Sequence, residues 1–323
     1  MAELGALETC VSGRLVPLVE VIAPKDASKA IERAWPHAAD VIWLHSLNFE
    51  DEEEPTFASN IEKLFKELRG RVPAVPVITV TEGPDTLAAV KRIVTVDSGG
   101  VVLRLDVEEI LDDAIDTSAS IRATLDALGL FPSQVDVVVD AGLLEGAHKV
   151  QAAVAEQCVR ALPDLADWRT VVIAFSGFPS PLSEVVPVST VRAVPRTDAA
   201  AFATARRRLT DRAIVFGDYT LGTPGYDSVP FTPIPNIRYA SGAEWVIHRA
   251  AQRKGPADQF RALATALVAA PYFAGAAFSP GDRQIADVAS RASGPGNPTT
   301  HLRAGISRHV HVVLERLATL GEP

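Results

Sequence analysis

The chain has 323 residues, 47% apolar, 22% charged and 6% aromatic, with a net charge of −9. That length can bury a substantial core, in one large domain or two small ones, and the composition excludes a mainly disordered chain. Its apolar stretches are too short and too often broken to span a bilayer, and two cysteines, Cys10 and Cys158, make neither a disulfide framework nor a zinc cluster.

The start, Met1-Ala2-Glu3-Leu4, has no basic n-region and no apolar h-region, so no secretory signal is expected. The acidic balance argues against nucleic-acid binding by the whole surface but leaves room for a local basic groove. Arg outnumbers Lys, Ala and Val abound, and there is a single Met. This composition favours a high-GC bacterial genome and a cytoplasmic setting.

Short β-branched runs alternate with helical patterns along the chain. Strands are expected at 15–22, 40–45, 74–80, 100–106, 135–140, 170–175, 212–218 and 274–278. The helices between and after them are expected at 27–38, 57–68, 84–93, 108–128, 145–162, 198–209, 258–268 and 306–320. Asp51-Glu52-Glu53-Glu54 reads as a solvated loop. Residues 219–256 are too long for a simple connection and contain a hairpin pattern, 236–239 and 244–249 around a Ser241-Gly242 turn. Eight strand–helix alternations predict a (β/α)8 barrel over 1–323, with the hairpin inserted near its mouth between strands seven and eight; the alternative is a doubly wound open α/β sheet. A dinucleotide-binding glycine fingerprint, a P-loop and a GxSxG elbow are all absent from the sequence.

In a barrel the chemistry sits at the carboxyl ends of the strands, and alternation decides which side chains share the inner face. Val102, Arg104 and Asp106 share one face, as do Val138 with Asp140 and Leu18 with Glu20, while Asp218 is in register with Ile214 and Phe216. Glu20, Arg104, Asp106, Asp140, Asp218 and Asp282 are therefore expected to converge. Such carboxylates could hold Mg²⁺ for a phosphoryl substrate, or divide into general acid and base, with Arg104 clamping an anion. The competing reading is an Arg–carboxylate network that only satisfies buried charge. On the hairpin, Arg238, Tyr239, Trp245, His248 and Arg249 could stack a base and hold phosphates, or simply cover the mouth. His301 and His309 are candidate acids or anion binders. His311, two residues beyond His309, is too poorly spaced to share a metal with it and reads as a cap or surface group. Cys158 reads as core and Cys10 as unpartnered.

The patches Glu3-Leu4-x-Ala6-Leu7, Pro17-Leu18-Val19-Glu20-Val21, Gly217-Asp218-Tyr219, Arg238-Tyr239, Trp245-x-x-x-Arg249, Gln259-Phe260, Phe278-Ser279-x-Gly281-Asp282 and Gly305-Ile306-x-x-His309 resemble the "beta protein" family of bacteria and T4-like phages. The resemblance spans nearly the whole chain. It implies a barrel-type domain from mobile and phage-related gene neighbourhoods, hence a part in phage–host conflict. Its points fall on Glu20, Asp218, Arg249, Asp282 and His309. The family's usual opening strand, of Tyr-Val-Pro-Ile type, has no counterpart ahead of Glu3.

Three functions follow as expectations. The first is a mouth that binds or hydrolyses a nucleotide or nucleic-acid phosphodiester. There Glu20, Asp140, Asp218 and His309 would be catalytic, and Arg104, Arg238, Tyr239, Trp245, Arg249 and Asp282 would hold substrate. The second is a non-catalytic adaptor with a protein partner in a defence complex. The third is a metabolic enzyme acting on a small phosphorylated compound.

Overall fold

The computed structural model describes residues 4–7, 13–35, 40–144, 146–225 and 233–323. The first strands are β1 (Leu18–Val21), β2 (Ile42–Ser46), β3 (Ala74–Ile78), β4 (Val101–Asp106), β5 (Val135–Leu143) and β6 (Thr170–Ser176). The chain then places β7 (Thr190–Pro195) in a second sheet before returning to the first as β8 (Val215–Asp218). The first sheet runs β1-β2-β3-β4-β5-β6-β8, parallel throughout and in sequence order. It curls into a half-barrel flanked by helices.

Those helices are α1 (Ser28–Ala34), α2 (Glu54–Leu68), α3 (Pro84–Asp97), α4 (Val107–Asp112), α5 (Ala114–Leu128), α6 (His148–Ala161), the short α7 (Leu182–Val185) and α8 (Thr197–Arg208). The expected helix at 108–128 is in fact two. Asp113 breaks it, its Oδ1 accepting from the Ile115 and Asp116 amides at 3.0 and 2.9 Å as the N-cap of α5. The acidic run is only partly loop, because Glu54 opens α2 and accepts the first-turn amide of Asp85 in α3 at 2.8 Å.

Alternation sorts each strand into two cores. Leu103, Leu105, Val137, Val139, Val171 and Ile173 face the helices, packed on Ile121, Ala155 and Phe202. Val75, Val77, Val102, Val138 and Val172 face the other way, with Leu18, Trp43 and Ala174 beside them. This inner face forms the floor of the candidate site. Near-complete burial on both sides explains the almost continuous Val/Ile/Leu runs.

The second sheet contains β9 (Asn236–Ser241) and β10 (Glu244–Arg249), the expected hairpin, in the antiparallel order β7-β10-β9. Three helices follow: α9 (Pro256–Val268), α10 (Pro280–Ser290) and α11 (Pro298–Leu320). The barrel is not closed among the described residues, and the sheet is open, as in the alternative expectation. The expected eighth strand at 274–278 is irregular chain with Gly275 at φ +94°. Ala274, Gly275, Ala276 and Ala277 offer a strand little side chain to pack, and Phe278 instead packs against the Arg308 guanidinium.

In place of an eighth strand, α11 links the segment ahead of β1 to the end of β8. Arg303 Nη2 donates to Gly5 O of the N-terminal turn at 2.7 Å, Arg14 Nη2, four residues ahead of β1, donates to Leu314 O at 3.3 Å, and His309 meets Asp218 at the end of β8. Two glycines permit this seating. A Cβ on Gly305 would meet Leu221 Cδ1 at 2.6 Å, and one on Gly281 would meet Ala304 O at 2.0 Å. Both belong to the patches that carry the family resemblance, and their role is close packing of α11 against β9 and α10.

Candidate functional site

At the carboxyl ends of β1, β2, β4 and β5, one step above the apolar floor, sit Glu20, His45, Arg104 and Asp140. Arg104 is the hub. Its Nε donates to Asp140 Oδ2 at 2.8 Å, and its Nη1 to Glu20 Oε1 at 2.7 Å and to His45 Nδ1 at 3.0 Å. Its Nη2 donates to Tyr219 OH at 2.8 Å and lies 2.7 Å from Asp140 Oδ2. Tyr219 in turn donates its hydroxyl to Asp140. Asp140 and His45 are buried, whereas Glu20 is 34% exposed and is the network's opening to solvent.

The electrostatics follow from this wiring. Arg104 can only donate, so His45 Nδ1 accepts and the ring proton rests on Nε2. Burial and the neighbouring guanidinium lower the His45 pKa from 6.5 to about 4. Burial and the Asp140 charge push the Tyr219 phenol well above its usual range, so it stays protonated.

A testable pH dependence results. The unfolded chain protonates His45 near pH 6.5 and the folded chain only near 4, so protons favour unfolding between these values. Stability is therefore full above pH 6.5 and falls as pH drops toward 4. The His45 share of the loss is about 2 kcal/mol between pH 7 and 5. Urea denaturation of wild type and His45→Gln at the two pH values measures it, the variant losing that part of the slope.

Asp218 does not join this group. Its register partner Phe216 packs edge-on to Phe202 of α8 at 5.1 Å, on the helix side of the sheet. Asp218 therefore turns away from Asp140, while Tyr219, one residue on, turns toward it. Asp218 Oδ2 meets His309 Nε2 at 2.6 Å and lies 3.9 Å from Arg196 Nη2. Burial raises the Asp218 pKa, but the His309 and Arg196 charges outweigh it and the net shift is downward. Arg196, wholly buried, pairs with buried Asp198 at 2.8 Å. The Trp245 ring closes this second network, 4.7 Å from the His309 ring and 5.3 Å from the Arg196 guanidinium. Among the described residues, Arg196 Nε and Nη1, Asp198 Oδ1, Trp245 Nε1 and His309 Nδ1 make no hydrogen bond.

A third cluster is separate again. Asp282, fully buried in the first turn of α10, accepts from Tyr239 OH at 2.9 Å, Ser279 Oγ at 2.5 Å and Arg308 Nη1 at 3.3 Å. Arg308 lies over the Phe278 and Tyr239 rings at 4.0 and 4.6 Å.

The sequence pattern of the Beta protein family matches residues 1–315, nearly the entire chain. The chain belongs to the Beta protein family. No curated protein matches it.

For this family member, the expected convergence holds for Glu20, Arg104 and Asp140. Asp106 instead caps α4, its Oδ1 accepting from the Glu108 amide at 2.7 Å. Asp218, His309 and Trp245 form the second network, and Tyr239 and Asp282 the third. Arg249 donates to Val186 O at 2.5 Å at the end of β10, and Arg238 to Leu221 O at 2.7 Å. His311 bonds Ser307 O of its own helix at 2.7 Å, and His301 bonds Pro295 O at 2.8 Å. Cys158 is core, while Cys10 lies outside the described residues.

The Mg²⁺ expectation finds no fitting donor set. Glu20 and Asp140 are both turned onto Arg104, and among the described residues no three His, Cys, Asp or Glu side chains are grouped to hold a metal. Also among the described residues, no helix is long and apolar enough to cross a membrane.

His45, Arg196 and Asp198 escaped the sequence reading. His45 could have been found, since it alternates with Trp43 as Glu20 does with Leu18. Arg196 and Asp198 carry no such signal, because they follow β7, an edge strand without a clear apolar pattern.

Proposed function

We propose that the protein is a binding module, a subunit of adaptor type, whose strand-end charges hold the mouth in shape. The use of Arg104 carries this reading. All three of its guanidinium nitrogens are engaged by Asp140, Glu20, His45 and Tyr219. An anion clamp needs a free guanidinium edge, and Arg104 offers none without breaking its own network. The exposed edge strand β7 supports the same reading. Val191, Arg192 and Ala193 are exposed there, and strand addition to such an edge is a common mode of protein recognition. Phage–host conflict, the setting implied by the family resemblance, makes a defence complex the assembly we assign it to.

The test is an activity panel of the purified chain on linear and cyclic nucleotides and short single-stranded DNA and RNA, with Mg²⁺ or Mn²⁺. The expected result is no turnover above blank, together with a defined partner crosslinked from position 191 and released by Val191→Glu. Metal-dependent turnover that Asp218→Asn or Asp140→Asn abolishes at unchanged melting temperature overturns the reading and restores a hydrolase.

A further inference from the structure

Beyond the mouth, a cavity of about 200 Å³ opens between the start of β9, α9 and the N-terminus of α11. In the same measure a water molecule needs roughly 10–15 Å³, so this space admits a small organic molecule. Its walls are apolar at Pro235, Phe260 and Leu302 and polar at Asn236, Arg238 and Thr299.

Arg238 is the unusual member. The half-buried guanidinium packs over the Phe178 ring at 4.5 Å, donates from Nε to Asn236 Oδ1 at 3.2 Å and from Nη1 to Leu221 O at 2.7 Å. Arg104, Arg196 and Arg308 each meet a carboxylate. Among the described residues Arg238 meets none, and its Nη2 has no hydrogen-bond partner. A partly desolvated cation without a counter-charge is costly, and burial accordingly lowers this guanidinium to about 10.

The opposite wall adds to the same sign. Pro298 and Thr299 are the first residues of α11, a 23-residue helix capped by Asn297 on the Thr300 amide at 3.0 Å. The cap leaves the Thr299 amide without an intrahelical acceptor, at the positive end of the helix dipole. Two positive sources thus flank one cavity whose remaining lining is mostly apolar, with Asn236 and the His301 ring as its other polar groups, an arrangement suited to an oxyanion with a compact apolar body.

We propose that this cavity binds a small organic oxyanion, its charged group on Arg238 and the start of α11 and its apolar body against Pro235, Phe260 and Leu302. The site is independent of the adaptor reading, because no residue of the Arg104 network lines it.

The test is thermal shift and calorimetric titration of the whole chain with inorganic phosphate, phenyl phosphate and benzoate at millimolar concentrations. The expected result is binding of phenyl phosphate or benzoate more tightly than inorganic phosphate; the stronger of the two tells a phosphate monoester site from a carboxylate site. Arg238→Met weakens binding at least about tenfold, the loss of roughly one charge-assisted hydrogen bond. Should Arg238→Met fold poorly, Thr299→Asp serves in its place. A carboxylate suits the first turn of a helix and keeps the fold, yet repels an anion from the cavity. Glu20→Gln, at the mouth, leaves binding unchanged. No binding of any of the three anions, or binding that survives both Arg238→Met and Thr299→Asp, overturns the proposal.

Discussion

Asp140→Asn destabilises the chain by about 3–5 kcal/mol, the range for breaking a buried ion pair by removing one partner. Arg104 then stays at the strand ends with only the half-exposed Glu20 as counter-charge, and Tyr219 loses the acceptor of its hydroxyl. Glu20→Gln costs less than about 1 kcal/mol, because water already screens that carboxylate. The double variant Arg104→Met/Asp140→Leu regains most of the loss, since it removes the buried charges together and leaves apolar groups on an apolar floor. Urea denaturation of these variants forms the test. Wild-type stability in Asp140→Asn would show that the network is not structural, and would return Asp140 to the role of a reacting group.

Asp282→Ala should lower the melting temperature by roughly 6 °C, from a loss of about 4 kcal/mol. The fully buried carboxylate is the common acceptor of Tyr239, Ser279 and Arg308, which come from β9, the α10 cap and α11. Its removal leaves Arg308 sandwiched between Phe278 and Tyr239 without a counter-charge. Ser279→Ala removes one cap and one hydrogen bond and should cost only about 1–2 kcal/mol. Calorimetric scans of the two variants compare them directly, and equal effects would contradict the counter-charge argument. Two residues of the Phe278-Ser279-x-Gly281-Asp282 patch are thus explained by structure, Asp282 as a buried anchor and Gly281 as the close contact with α11.

Much of the molecule could be read from residue order, and the reason is local. Val/Ile/Leu runs of strand length between amphipathic helices required a buried parallel sheet, and Ser241-Gly242 between two apolar runs required the hairpin. Side-chain alternation alone places Glu20, Arg104 and Asp140 on one face. It also put Asp218 in register with Phe216, the parity that separates it from Asp140.

What lay beyond residue order rests on contacts between distant segments. The half-barrel stays open because the small residues at 274–277 offer a strand little to pack, and because α11 links the N-terminal segment to the end of β8 through Arg303 and His309. Neither partner of α11 lies near it in the chain. β7 is half exposed and acquires its identity from β10, some fifty residues later. Whether Arg104 clamps a ligand or anchors a network depends on how many of its donors already have acceptors, a count that four separate elements settle together. Periodicity along a chain records which face a residue occupies; the partners it meets there, and so its chemistry, are set by the packing of elements that the pattern does not relate.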